Sequence, residues 1–101
     1  MFKLSSVKPR YFEFEAPDNL KVLHIEPPKL KTLKRMNDLV TGGHAGIEET
    51  VAIAARILNK NREKRRITAD MVMDWMDASQ LTAFIKAFIR WVSDEKQTDP
   101  N

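Results

Sequence analysis

Tyr11-Phe12-Glu13-Phe14-Glu15 alternates ring and acid, so Phe12 and Phe14 share one face of a strand and Glu13 and Glu15 the other. Ala16-Pro17-Asp18-Asn19 supplies a turn: Pro17 presets its backbone angle, and Asp18 and Asn19 tolerate turn conformations. Leu20 to Glu26 resumes the strand with β-branched Val22 and Ile25, although Val22, Leu23 and Ile25 cannot all face one way. A hairpin over 11–26 is marginal alone and needs a support.

From Pro27-Pro28 the period changes. Leu30, Leu33, Met36 and Val40 recur at steps of three and four, with Lys29, Lys31, Lys34 and Arg35 between them, which predicts a proline-started amphipathic helix. Thr41-Gly42-Gly43-His44-Ala45-Gly46 ends it, and a second helix is expected from Ile47 to Asn59. Glu48 and Glu49 stand in its first turn, where the helix dipole favours acids. From Val51 to Leu58 it is apolar on nearly every side except at Arg56, the pattern of a central helix. Lys60-Asn61-Arg62-Glu63-Lys64-Arg65-Arg66 reads as a solvated basic connector. Thr68 caps a short third helix, Ala69 to Met76, and Asp77 caps a fourth, Ala78 to Ser93, with Leu81, Phe84, Ile85, Phe88 and Val92 on one stripe. Ile89 and Trp91 widen that stripe beyond the needs of one small core. The expected fold is α+β, mainly α: one domain over 1–101, with a segment 1–10, a hairpin 11–26, a bundle of about four helices over 27–93 and a polar tail 94–101.

Composition narrows the chemistry. The 101 residues include no cysteine, which excludes disulfides, thiolate zinc sites, thiol nucleophiles and iron–sulfur centres. With 43% hydrophobic residues the chain is too apolar for a disordered one, and no run approaches the ~20 apolar residues of a membrane span. No signal peptide is evident in the first ten residues, so a cytoplasmic location is expected. The Gly42–Gly46 stretch lacks the lysine and Ser/Thr of a phosphate loop, and Glu48 and Glu49 would repel phosphate. His24 and His44 have no helical ligand partner and read as surface histidines. Glu13 with Glu15, and Asp74 with Asp77, give no sign of the burial that acid–base catalysis needs. No enzyme, cofactor or metal site is therefore expected.

Two surfaces remain as candidates. The net charge of +3 is unevenly placed, with Lys29–Arg35 and Lys60–Arg66 carrying much of the positive charge. Arg62, Lys64, Arg65 and Arg66 precede two helices, an arrangement open to a helix-turn-helix protein contacting phosphates. Against it, the third helix is acidic and rich in methionine, and the fourth offers base edges only Gln80, Lys86 and Arg90. The other surface is apolar. Met73, Trp75, Phe84, Phe88, Ile89, Trp91 and Val92 combine large contact area with adaptable packing and are the candidate partner-binding or self-association residues. Among these, Phe84 and Phe88, with Ile85, read first as core; periodicity cannot separate core from interface for Met73, Trp75, Ile89 and Trp91.

The order of elements resembles the tail assembly chaperones of long-tailed (siphovirus-type) bacteriophages and prophages. The likeness rests on a short hairpin (Phe12–Phe14 and Val22–Ile25), a proline-started helix, a central apolar helix, and Ile67-Thr68-Ala69-Asp70 leading into two terminal helices. It is strongest from Ile67 to Val92, where Asp77-Ala78-Ser79-Gln80-Leu81 steps into the apolar last helix. The resemblance implies a small cytoplasmic protein, absent from the mature virion, that binds the tape measure protein, helps recruit tail tube subunits and self-associates. It also implies a short form of a frameshifted pair, extended from near Asp94.

Overall fold

The computed structural model describes residues 1–43 and 46–94, and within them the fold is α+β and mainly α. A single 3-10 turn, Leu4–Ser6, precedes strands β1 (Phe12–Glu15) and β2 (Val22–Ile25) and helices α1 (Leu30–Gly42), α2 (Ile47–Asn59), α3 (Ala69–Trp75) and α4 (Ala78–Ser93). His44 and the tail from residue 95 onward lie outside the described residues. No helix among the described residues is long and apolar enough to cross a membrane.

The strands pair antiparallel, with Phe12 opposite Ile25 and Phe14 opposite Leu23. Between them Ala16 N–H donates to Lys21 O at 2.9 Å, Leu20 N–H donates to Ala16 O at 2.8 Å, and Leu20 takes a left-handed φ of 60°. The ambiguity in β2 resolves by period: Leu23 and Ile25 are buried, while Val22 faces out and His24 is half-buried. Phe12 and Phe14 turn onto α4. Phe12 meets Phe88 edge-on at 5.2 Å, and Phe14 meets Phe84 at 5.4 Å.

α1 follows the diproline and ends where Gly43 adopts φ 69°. Its stripe buries less than the spacing suggests. Met36 is enclosed and Leu33 half-covered, but Leu30 on the first turn is exposed, as is Val40 near the end. α2 is the centre, burying Val51, Ile53, Ala54, Ala55, Ile57 and Leu58. Thr68 and Asp77 cap α3 and α4 as their sequence positions require, accepting from Met71 N–H at 3.1 Å and Gln80 N–H at 2.8 Å.

The connector after α2 exposes Arg62, Glu63, Lys64 and Arg66 as its composition suggests, but its backbone is pinned to the sheet. Asn61 pairs with Ile25 as an isolated antiparallel bridge; Glu26 N–H donates to Lys60 O at 2.8 Å and Arg62 N–H to His24 O at 2.9 Å. The connector thus lies along the outer edge of β2. Two asparagines brace it. Asn61, 3% exposed, donates through Nδ2 to Leu58 O (2.7 Å) and Arg65 O (2.8 Å), and its Oδ1 accepts from Arg65 N–H at 2.8 Å. Asn59 donates to Ala55 O and Ile67 O and accepts from Ile67 N–H. Composition missed this because the exposed cations hide the buried amide between them.

Candidate partner-binding site

The hairpin consumes most of the apolar surplus on α4. Phe88 is fully enclosed and Phe84 is buried, so neither presents a surface to a partner. Trp91 stacks on Phe88 at 5.6 Å, touches Phe12 at 5.7 Å and carries the Arg10 guanidinium over its ring at 4.7 Å. Ile89 and Val92 are half-buried and pack against the core. Trp75 stacks on Phe14 at 6.2 Å and has the Arg65 guanidinium over its ring at 5.6 Å. The face expected to meet a partner is therefore largely the seat of β1. The alternation of Phe12 and Phe14 demanded an apolar support, and the widened stripe of α4 is that support.

Met73 alone among those seven residues is strongly exposed, at 51%. It stands at the mouth of a groove between the start of α2 and the α3–α4 corner. Ile47, Thr50 and Val51 form one wall, Val72, Met73 and Met76 the other, and Asp77, Ala78, Leu81 and Thr82 close the end, around a volume of ≈ 330 Å³. Thr50 and Thr82 also line a second, more polar depression of ≈ 250 Å³ with Leu39, Val40, Ile85 and Lys86. Ile47 lies on the rim of the first, 69% exposed. Sequence reasoning missed Ile47 and Val40. The signal was available at Ile47, an apolar residue heading a helix whose next two positions are acidic, but the all-round apolar character of the later turns masked it.

Asp77 alone among the groove's lining residues is charged, and its Oδ1 accepts from Gln80 N–H; Glu49 instead lines a separate hollow with Arg35 and Arg56. Neither Ile47–Ala55 nor Ala69–Ile85 contains a lysine or arginine.

The four candidate cations of the connector, Arg62, Lys64, Arg65 and Arg66, are in unequal positions. Arg65 is ion-paired to Asp18 across the hairpin turn, and its Nη1 is buried with no hydrogen-bond partner. That hydrogen bond holds the Asp18 carboxyl below its usual range and raises the guanidinium value. Arg62 lies over the Tyr11 ring at 5.6 Å. Lys64 and Arg66 are exposed, Lys64 with φ 62°. Arg65 is thus committed within the fold, which leaves less free charge for phosphates than the sequence suggests.

His24 finds a carboxylate partner in Glu63. Its Nδ1 lies 2.5 Å from Glu63 Oε2, its backbone N–H donates to Glu63 Oε1 at 2.8 Å, and Nε2 lies 3.7 Å from Glu13. Desolvation pushes Glu63 upward, but the His24 N–H and ring outweigh it and hold the carboxyl below its usual value. No group of three or more His, Asp or Glu among the described residues could hold a metal ion. A further hollow of ≈ 430 Å³ is lined by Glu26, Lys29, Thr32, Arg56, Asn59 and Lys60 among others. There Lys60 Nζ is already bonded to Pro27 O at 2.7 Å. Comparison with known proteins finds no matching family model, no matching curated protein and no matching solved structure.

Proposed function

We propose that this chain is a binding protein without chemistry of its own, acting as a tail assembly chaperone of the long-tailed phage type. Its client is the tape measure protein, whose long helical chain must stay soluble while tail tube subunits are recruited around it. The observation that carries the reading is the groove between α2 and the α3–α4 corner: an apolar floor, exposed Ile47 and Met73 at its mouth, and Asp77 as its one charged lining residue. Such a groove suits an amphipathic helix laid in by its apolar face. The methionines let the walls adapt to successive client segments. The host cytoplasm is the proposed place of action, and the finished virion does not retain the protein.

The test is co-expression with the tape measure protein of the same phage or prophage. Affinity capture of one should bring down the other. Burying an Ile or Met side chain is worth about 1.5–3 kcal/mol, so Ile47→Asp or Met73→Asp should weaken capture roughly tenfold or more. Arg62→Glu with Arg66→Glu should leave it intact. Failure of the two proteins to co-purify, or indifference to both groove substitutions, refutes the reading. Tight duplex binding that falls steeply with salt and depends on Arg62, Lys64 and Arg66 would instead support a nucleic-acid-binding regulator.

A further inference from the structure

The hollow between the start of α1 and the end of α2 gathers charge that the fold leaves uncompensated. Its volume, ≈ 430 Å³, falls within the roughly 300–1,000 Å³ of small-molecule sites. Four charged residues line it: Glu26, Lys29, Arg56 and Lys60. Glu26 and Lys60 offset each other, with Lys60 Nζ 3.9 Å from Glu26 Oε1 and donating to Pro27 O at 2.7 Å. Lys29, just before α1, and Arg56, in the last turn of α2, are both exposed. Among the described residues neither side chain has an ion pair or a hydrogen bond. Thr32 lines the same hollow half-buried, and its hydroxyl likewise has no partner among the described residues. Arg56 also borders a smaller hollow of ≈ 140 Å³, where Arg35 and Glu49 add one charge of each sign. Two cations therefore stay unmatched. The rest of the lining is Pro28, half-buried, buried Ile57 and Phe88, and Asn59, whose amide is already bonded to Ala55 and Ile67.

From this arrangement we propose that the hollow binds a small phosphate monoester, with its phosphate between Lys29 and Arg56 and an apolar body against Pro28. A carboxylate carries a single charge. A phosphate monoester carries about −1.5 to −2 at pH 7 and three strong acceptor oxygens, which suits two cations and one hydroxyl. Arg56 offers a planar fork of donors, and Lys29 a compact charge on a flexible stem. The aliphatic stems of both side chains extend the apolar contact that Pro28 begins. A ligand held this way ties α1 to α2, so it also raises the melting temperature of the chain. The hollow shares no lining residue with the groove at Ile47 and Met73, so the inference stands apart from the client reading.

Titration of the isotope-labelled full chain with phenyl phosphate, followed by NMR, tests it. Saturable one-to-one binding is expected, with shift changes centred on Lys29, Thr32 and Ile57. Benzoate has a similar ring with one charge, and inorganic phosphate has no apolar body; each should bind about threefold more weakly or worse. Arg56→Gln and Lys29→Gln each alter an exposed side chain and should weaken phenyl phosphate about fivefold or more, with far-UV dichroism unchanged. Met73→Asp, in the client groove, should leave the affinity as it is. No saturable binding at tens of millimolar, shift changes centred elsewhere, or indifference to both cation variants overturns the inference. Benzoate or inorganic phosphate binding as tightly as phenyl phosphate overturns it too. An oligonucleotide whose affinity grows with its length would assign these cations to a nucleic-acid backbone, which also overturns it.

Discussion

Replacing Asn61 with alanine should destabilise the protein far more than its place in a charged loop suggests. The side chain is 3% exposed and makes three hydrogen bonds, to Leu58 O, Arg65 O and Arg65 N–H, at 2.7–2.8 Å. Each such bond contributes about 0.5–1.5 kcal/mol net, and groups left buried without a partner add a desolvation penalty. Leu58 is itself completely buried, so water does not readily replace the lost donor. The expected loss is about 2–4 kcal/mol, a large fraction of the roughly 5–15 kcal/mol that holds a domain of this size together. Urea unfolding followed by far-UV circular dichroism measures it. With a slope of about 1–1.5 kcal/mol/M, the midpoint should fall by about 2 M. Near-UV dichroism should change as well, because Asn61 fixes the segment from which Arg65 reaches Trp75. Exposed Asn37 is the control, and its alanine variant should shift stability by no more than about 0.5 kcal/mol. A loss below about 1 kcal/mol for Asn61→Ala refutes the claim that this amide pins the connector to the sheet.

Two further predictions concern the same connector. Lys64 holds a left-handed backbone (φ 62°) with its side chain exposed, so Lys64→Gly should stabilise the protein by about 0.5–1 kcal/mol in the same urea assay. The Glu63 carboxyl is held below its usual value, so its contribution is present above the unfolded-state value and disappears as pH falls through the folded one. The stability difference between wild type and Glu63→Gln should therefore shrink as pH falls below about 4.5; the pair is a third exposed, so it should not exceed about 1 kcal/mol.

The helices and the hairpin were legible because each has a strong local signal. The alternation at Phe12–Glu15, the caps Thr68 and Asp77, and the apolar run of α2 all act within one turn or one strand. The site was less legible, for the opposite reason. Whether Trp91, Phe88 and Phe84 face a partner or the core depends on whether Phe12 and Phe14 sit on them, a contact across more than seventy positions that periodicity does not encode. The basic connector misled through its average polarity. Five cations imply solvent, while the residue that matters, Asn61, is a single buried amide among them. Ile47 and Met73 emerged as a groove only once α2 and the α3–α4 corner were side by side.

The bridge between Ile25 and Asn61 also shapes how this protein can change. It brings Glu26 and Lys60 into hydrogen-bond contact, so α1 and α2 form a closed excursion that leaves the sheet edge and returns to it. The frame made by hairpin, connector and α4 is fastened at the base of that excursion, while Val40 and Ile47 stand at its far end. Substitutions at that tip can redraw the apolar groove with the clamp left untouched. A lineage could thus alter what the molecule holds while conserving how the molecule is held together.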